Sequence, residues 1–400
     1  MLSKTELRKS LEMTRKWFKE SGVMIPENGL WGVAERVLLV KNNQTAQKTL
    51  DAFPAWTAYE RKGYCIMEQR RADCCMQAAF LCLRLHEIFG VQHIHSVAHN
   101  ILSFLFNRSG LLHRTGGEKI EGTWNWSHIK HEKCIYFDDN AWMAVLMLKM
   151  SQHYPDFDKE FELKEWGLKL ADLLAAAFPR YFADEKATEG TFSWLGRPKL
   201  PHWGSLVCQA LAEAMKFQPK PEYRKVIDDY HTYLLANINA FTPSEYGYAL
   251  LGATAAYTVM KDDLSLKTVR AFADKVVSVM DPKTGNLPAR HYEAPVGDHL
   301  ADTIYTLNWA VLGMQNAQKI DGKYTTAYEK ILELLIQIQD TSAEPWLYGC
   351  WRGMYDLKAK SWGGGNCFEG GAGSIYTGWT NAPIAWAVAF ALQHKCFAVH

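Results

Sequence analysis

Apolar residues recur every three to four positions along most of the chain, a spacing that places them on one face of a helix. No series of alternating strand-like segments separates these stretches. No Pro- or Ser-rich linker divides the 400 residues, so we expect one domain over residues 1–400. The pattern predicts a shorter helix over residues 31–40 and long helices over residues 3–21, 66–89, 93–107, 138–151, 159–179, 202–216, 221–239, 245–260, 264–280, 299–315, 321–340 and 381–394.

The predicted helices are of two kinds, which differ in how much of their circumference is apolar. Lys159–Ala177 and Ala327–Gln339 carry one apolar stripe, as a helix on a protein surface does. Ala141–Met150 and Tyr248–Val259 are apolar or small nearly all round, which is typical of a buried helix. Because the two kinds alternate, the sequence predicts an inner and an outer ring of helices, the all-α (α/α)6 toroid.

A repeated order of segments supports this ring. Val97–Arg114 precedes a loop and then Asp138–Trp142, and Val269–Arg290 precedes a loop and then Asp302–Trp309. Each unit is an outer helix, a glycine-containing turn, an aromatic loop and an inner helix, and six such units close into a ring. The loops that lead into the inner helices then meet at one end of the toroid, where we expect the functional site.

The loop before one inner helix carries two adjacent acids, Asp138 and Asp139. Glycoside hydrolysis needs two carboxyl groups, one that protonates the leaving oxygen and one that attacks the anomeric carbon or activates water. Two nearby carboxylates repel each other, so one of them keeps its proton to higher pH. A helix cap would explain one aspartate but not both. We therefore expect at least one of them to be catalytic.

Other acids occupy comparable loops. Asp302 precedes an inner helix at the position equivalent to the aspartate pair, and Glu369 lies in a glycine-rich loop. We count both as further candidate catalytic carboxylates, with Asp73 and Glu68 as weaker ones. The alternative for each is a helix cap or a solvated loop acid.

The chain is rich in aromatic residues, with 15 Trp, 18 Tyr and 18 Phe. Flat rings with a polar tip suit the apolar faces of sugars, so some of them are expected to line a groove. Arginines in the same loops, such as Arg197, Arg290 and Arg352, suit the carboxylate of an acidic sugar. The predicted substrate-binding residues are Trp124, Trp126, His128, His202, Trp203, Glu245, Tyr246, Arg290, Asp298, His299, Trp362, Tyr376 and Trp379.

The overall charge argues against two classes of partner. Lys and Arg number 44 and Asp and Glu 43, so the net charge of +1 gives no field that attracts nucleic acid or an anionic membrane. No apolar stretch is long enough to span a bilayer, and the first residues lack the apolar core of an export signal. We therefore expect a cytoplasmic protein, unless such a signal has been removed.

Metal binding has little support in the sequence. His93, His95 and His99 form a histidine cluster, but only the last two share a helical face, and no His-Glu-x-x-His pattern follows. The nine cysteines have no regular spacing, so we interpret them as reduced thiols. We expect neither a metal nor another cofactor.

The alternating helices, the aromatic acidic loops and the run Phe137–Trp142 resemble the six-hairpin glycosidase superfamily. That group shares the (α/α)6 toroid and includes hydrolases of mannans and of unsaturated glucuronides, and sugar epimerases. The Asp-Asp-Asn-Ala-Trp run looks like the aspartate pair of glycoside hydrolase family 76, the endo-α-1,6-mannanases. This resemblance implies that Asp138 is the nucleophile and Asp139 the general acid/base.

Three functions stay open at this point. The first is a glycoside hydrolase that acts through paired carboxylates on a carbohydrate. The second is a lyase or epimerase of uronate sugars, in which His128, His202, His299 and Tyr376 supply acid/base groups. The third is a non-catalytic toroid that only binds carbohydrate.

Overall fold

The computed structural model describes residues 2–24, 27–39, 58–61, 63–67, 69–128, 133–290, 297–363 and 371–400. Within that part, the α-helices are α1 Lys4–Glu20, α2 Ala72–Phe89, α3 Gln92–Ser103, α4 Phe137–His153, α5 Pro155–Phe161, α6 Leu163–Ala183, α7 Pro201–Met215, α8 Pro221–Ala236, α9 Pro243–Met260, α10 Asp263–Val279, α11 Leu307–Ile320, α12 Thr325–Ile338 and α13 Ala382–Leu392. The strands are β1 Arg36–Leu38, β2 Ala58–Arg61, β3 Tyr64–Met67, β4 Ile135–Tyr136, β5 Trp194–Leu195, β6 Leu300–Asp302, β7 Met354–Asp356, β8 Ser361–Trp362 and β9 Ser374–Tyr376. None of these helices is both long and apolar enough to cross a membrane.

Six helices form a closed inner ring, in the order α2, α4, α7, α9, α11 and α13. Each contacts the next, and α13 contacts α2 again. Most residues of these six helices are buried, whereas α1, α3, α6, α8, α10 and α12 bury one face and expose the other. The predicted all-α (α/α)6 toroid is therefore confirmed, with the short α5 as an addition between α4 and α6.

Small residues and stacked indoles explain how six helices fit around one axis. A Cβ atom on Gly252 of α9 would lie 2.4 Å from the carbonyl oxygen of Ser205 on α7, so glycine permits this close approach. In the interior, the rings of Trp142 and Trp309 stack with their centres 5.0 Å apart. These large buried rings fill the space on the axis and contribute strongly to apolar burial.

Short strands lie just before the first turns of most inner helices. The sheets run in the orders β2-β3-β1-β9, β4-β5 and β6-β7-β8. β3 precedes α2, β4 precedes α4, β5 precedes α7, β6 precedes α11 and β9 precedes α13. The sheets therefore tie the loops at one end of the ring to each other and fix the residues that follow them.

These strands correct two helix boundaries and one whole helix expected from the sequence. The helix predicted from residue 66 begins at Ala72, because residues 64–67 pair with β1 and β2. The helix predicted from residue 299 begins at Leu307, because residues 300–302 pair with β7. The short helix predicted over residues 31–40 is wrong, since β1 lies there. In each case pairing with a distant segment overrides the local helical spacing.

Two units of the internal repeat share the same pair of hydrogen bonds at the start of their inner helices. Asn140 of α4 donates to the carbonyl oxygen of Trp124 (3.1 Å) and accepts from its backbone N–H (2.8 Å). Asn381, just before α13, does the same with Trp351, at 3.0 and 2.8 Å. Each asparagine thus holds the preceding loop against the start of an inner helix, since an amide side chain can both donate and accept.

Candidate active site

A cavity of about 180 Å³ lies at the ends of the inner helices where their first turns begin. Its walls come from the loops or first turns of α2, α4, α7, α11 and α13. The predicted convergence of these loops is therefore confirmed. The lining residues are Arg71, Trp126, Tyr136, Asp138, Asp139, His202, Trp203, Ile304, Tyr305, Tyr376 and Trp379.

The two adjacent aspartates in the first turn of α4 face different neighbours. Successive residues of a helix are about 100° apart around its axis, and α4 lies between α2 and α7 in the ring. Asp138 Oδ2 accordingly lies 2.9 Å from His202 Nε2 on α7. Asp139 Oδ1 accepts a hydrogen bond of 2.8 Å from Arg71 Nη2 at the start of α2. The pair is therefore divided between two environments.

Arg71 holds three carboxyl groups at once. Its Nε and Nη2 atoms donate to the two oxygens of Asp73, both at 3.0 Å, and its Nη1 atom donates to Glu35 at 3.2 Å. Asp139 is the third partner. The guanidinium carbon lies 5.5 and 5.4 Å from the ring centres of Trp126 and Trp379, which places the cation between two aromatic faces.

This crowding changes the protonation of Asp139. Burial raises the pKa of its carboxyl well above the ordinary value, and the negative charges of Asp73 and Asp138 raise it further. The charge of Arg71 and its hydrogen bond act in the opposite direction. Glu35 also accepts from the Arg36 guanidinium at 3.1 Å, so two guanidinium groups face three carboxyl groups. A proton on one of the carboxyl groups relieves the remaining repulsion. Asp139 is the member of this group that lines the cavity.

His202 is the imidazole of the cavity. Its ring stacks on Trp203, with centres 4.3 Å apart, and on Tyr248 of α9, with centres 4.5 Å apart. Its backbone N–H donates a 2.6 Å hydrogen bond to Glu245 in the first turn of α9. Burial raises the pKa of Glu245 to about 7, against the opposing charge and hydrogen bond of His202.

The structure places the predicted catalytic residues unequally. Asp138 and Asp139 line the cavity. Asp302 does not, because its carboxylate accepts hydrogen bonds from the backbone N–H of Ile304 (2.9 Å) and from the Thr306 hydroxyl (2.8 Å). It therefore stabilises the turn that leads into α11, and its predicted catalytic role stays a prediction. Glu369 and Glu68 lie outside the described residues.

Five of the predicted substrate-binding residues line the cavity, namely Trp126, His202, Trp203, Tyr376 and Trp379. The others do not line it, and their predicted role in binding stays a prediction. Trp124, Glu245 and Tyr246 are buried, and His128 accepts from the backbone N–H of Arg70 through Nδ1. Arg290 and Asp298 form an exposed ion pair. His299 lies 3.9 Å from Asp356, and Trp362 packs on Tyr355.

Arg71, Tyr136, Ile304 and Tyr305 line the cavity without having been assigned a role from the sequence. Arg71 was not identified as a site residue, because the helix predicted from residue 66 places it inside the helix rather than in a loop. The one available signal for Tyr136 is its place two residues before the aspartate pair. No group of three or more His, Cys, Asp or Glu side chains that suits a metal ion occurs in the described part of the chain.

Neither a protein-family model nor a curated protein sequence matches the chain. Solved structures do. A D-mannose isomerase is 13% identical with a TM-score of 0.64, covering 97% of this chain and 98% of that one. Cellobiose 2-epimerase from Bacillus thermoamylovorans is 11% identical with a TM-score of 0.64, covering 98% and 99%. An unsaturated glucuronyl hydrolase from Streptococcus agalactiae is 14% identical with a TM-score of 0.59, covering 100% and 94%.

At these identities the likeness establishes the fold alone. The (α/α)6 toroid of this chain is the architecture of sugar isomerases, sugar epimerases and a glucuronyl hydrolase. The architecture that the sequence resemblance implied is thus confirmed, while membership of the six-hairpin glycosidase superfamily stays a prediction. The narrower resemblance to family 76 stays a prediction.

Proposed function

We propose that the chain is a carbohydrate-active enzyme that cleaves a glycosidic bond by general acid catalysis, with Asp139 as the proton donor. The observation that supports this most is the environment of Asp139, a buried carboxyl beside Asp73 and Asp138 whose pKa is raised. Such a group holds its proton at a pH where solvated aspartates are ionised, so it can protonate a leaving oxygen.

Asp138 is the second carboxylate in this proposal. Its Oδ1 atom is buried and accepts no hydrogen bond from the described residues, although Asp138 lines the cavity. A buried carboxylate oxygen without a donor is costly, so a substrate hydroxyl or a water molecule would stabilise it. Asp138 then acts on the anomeric carbon or on the attacking water, while His202 lies 2.9 Å from its other oxygen.

The aromatic walls support a sugar as the substrate. Trp126, Trp203 and Trp379 line the same small cavity as the two aspartates. Indole faces suit the apolar faces of sugars, and the indole N–H leaves a polar edge for hydroxyl groups. Proteins of the same fold include enzymes whose names describe the isomerisation, epimerisation and hydrolysis of sugars.

Sugar isomerisation or epimerisation is the second candidate. It is favoured by the imidazole of His202 at the cavity wall and by the two isomerase and epimerase structures with TM-scores of 0.64. In that reaction His202 would remove a proton from a carbon next to a carbonyl group and Asp139 would return one. The product formed in D2O would then carry deuterium at that carbon after epimerisation, or at the former carbonyl carbon after isomerisation. Glycoside hydrolysis leaves the carbon-bound hydrogens unchanged.

A comparison of leaving groups tests the proposed proton donor. For Asp139→Asn we expect kcat/KM on phenyl glycosides to fall by roughly 10²–10⁴-fold, the usual contribution of acid/base catalysis. Dinitrophenyl glycosides have a leaving group that departs without protonation, so the same variant should lose far less on them. Asp138→Asn should lose activity on both series, because its role does not depend on the leaving group.

Asp298→Asn is the matched control, since Asp298 is exposed and pairs with Arg290 away from the cavity. It should retain full turnover on both series. Equal losses of Asp139→Asn on phenyl and dinitrophenyl substrates would refute the assignment of Asp139 as the acid. Saturable sugar binding without turnover on any glycoside would instead support a binding protein.

A further inference from the structure

A second cavity, of about 350 Å³, is lined by residues of α1, α2 and α3. It shares no described lining residue with the catalytic cavity. Its volume falls within the roughly 300–1,000 Å³ of pockets that enclose small organic ligands. An apolar group that displaces water from apolar walls is stabilised there, so the cavity suits a ligand with an apolar body. All three helices contribute such walls, namely Phe18, Leu81, Leu85, Ile94 and Val97.

Positive charge predominates among the described lining residues of this cavity. Arg15 and Lys19 of α1 line it, and neither forms an ion pair with a carboxylate in the described part of the chain. Glu20 is the one acid among the described lining residues, and it lies 3.9 Å from Lys16. A guanidinium that is not already paired can bind a carboxylate through two parallel hydrogen bonds. The charges therefore complement a ligand with a single anionic group.

The start of α3 adds donors for the same kind of group. The cap residue Val91 makes no side-chain hydrogen bond to this helix, and the first turn contains no acid. The first N–H groups of a helix lack partners within it and attract anions. His93 and Ile94 of this turn line the cavity.

A buried hydroxyl gives a separate indication of an occupant. Ser21, just after α1, is 0% exposed and lines the cavity. Its Oγ atom has no hydrogen-bond partner among the described residues. A buried polar atom without a partner is costly, so a polar atom of a bound molecule would stabilise it.

We propose that the cavity between α1, α2 and α3 binds a small, free monocarboxylate with an apolar tail. The carboxylate lies beside Arg15, Lys19 and the start of α3, and the tail lies against the apolar walls. This site is separate from the catalytic cavity and does not depend on the reaction that proceeds there.

Three molecules with the same tail test the proposal by isothermal titration calorimetry on the full chain at neutral pH. Octanoate is an anion, octanamide is neutral and octylamine is a cation. We expect one octanoate to bind per chain, at least about tenfold more tightly than octanamide, because hydrogen bonds to a charged group are about twice as strong as neutral ones. Octylamine should bind more weakly than octanamide, because its charge has the same sign as Arg15 and Lys19.

Two variants locate the binding. Arg15→Gln combined with Lys19→Gln should reduce the preference for octanoate over octanamide to less than about threefold. Arg8→Gln combined with Lys9→Gln removes the same charge from exposed positions of α1 outside the cavity, and should keep the preference of the wild type. Val97→Phe places a ring in the cavity and should weaken octanoate binding at least about tenfold without loss of stability in urea, because filling a cavity commonly stabilises a protein.

Circular dichroism establishes that each variant is folded, and the three molecules test the wild type without any variant. Octanoate that does not bind saturably, or that binds no more tightly than octanamide, would overturn the proposal. An equal loss of preference in the Arg8 and Lys9 variant would overturn it as well, as would wild-type octanoate affinity in a folded Val97→Phe. Glycoside turnover enters none of these measurements, so the proposed function can fail while this site stands, and the reverse.

Discussion

Replacing Asp73 with asparagine should lower the pKa of the Asp139 carboxyl. Both aspartates bind the same nitrogen of Arg71, so the change removes a negative charge that favours the protonated form of Asp139. The amide of asparagine is nearly the same size, and its single carbonyl oxygen can keep one of the two hydrogen bonds from the guanidinium. The substitution therefore alters charge far more than shape.

The distances allow the effect to be estimated. Asp73 Oδ2 and Asp139 Oδ1 lie 3.0 and 2.8 Å from Arg71 Nη2. They are therefore less than about 6 Å apart, the range in which like charges shift pKa values strongly. At an effective dielectric constant of about 20, unit charges about 5 Å apart repel by roughly 3 kcal/mol. Asp73→Asn removes this repulsion, so we expect the pKa of Asp139 to fall.

The pH dependence of kcat/KM measures this change. A general acid must be protonated, so activity falls as the pH rises through its pKa, and this limb reports Asp139 in the free enzyme. In Asp73→Asn the limb should move to lower pH, while in Asp298→Asn it should stay in place. A limb that does not move, or that moves to higher pH, would refute the argument that Asp73 keeps Asp139 protonated.

Three further changes follow from the packing. Glu245→Gln should gain stability relative to wild type, by up to about 3 kcal/mol, as the pH rises from 4.5 to about 7, because the buried wild-type acid must then ionise. Urea denaturation measures the free energy of unfolding, and the same difference between variant and wild type at both pH values would contradict this. Trp203→Ala removes an aromatic wall and should raise KM about three- to tenfold with little change in kcat; an unchanged KM argues against sugar stacking. Gly252→Ala brings a methyl group against the Ser205 carbonyl and should cost about 1–3 kcal/mol in urea unfolding; unaltered stability would show that α7 and α9 separate easily.

The architecture could be predicted because it depends on local patterns. About a dozen consecutive residues are enough to tell a helix with one apolar stripe from a helix that is apolar all round. The alternation of these two kinds along the chain defines the two rings. The strands depend on partners that are far away in the sequence. Val37 pairs with Ile66 and Ile375, and no local spacing in residues 31–40 distinguishes such a strand from a helical turn.

The site could be predicted only in part, for the same reason. Asp138 and Asp139 stand in a local motif at the start of an apolar helix, so the sequence identifies them as candidates. Their different environments depend on Arg71 and His202, which come from the neighbouring inner helices. Glu35, which completes the group around Arg71, lies just before β1, in a segment that the helical pattern misassigned.

The contact between Trp379 and Asp73 joins the segment before α13, the last inner helix, to the first turn of α2, the first inner helix. The indole N–H donates to a carboxylate 306 residues earlier in the chain, and β9 pairs with β1 beside it. Contacts of such long sequence separation form slowly, because the entropy cost of closing a large loop comes before the contacts stabilise the chain. A ribosome-bound chain that ends before Trp379 and α13 would therefore hold both aspartates of α4 and still lack one wall of the cavity. The Trp379 wall of the cavity is therefore in place only when α13 has closed the ring.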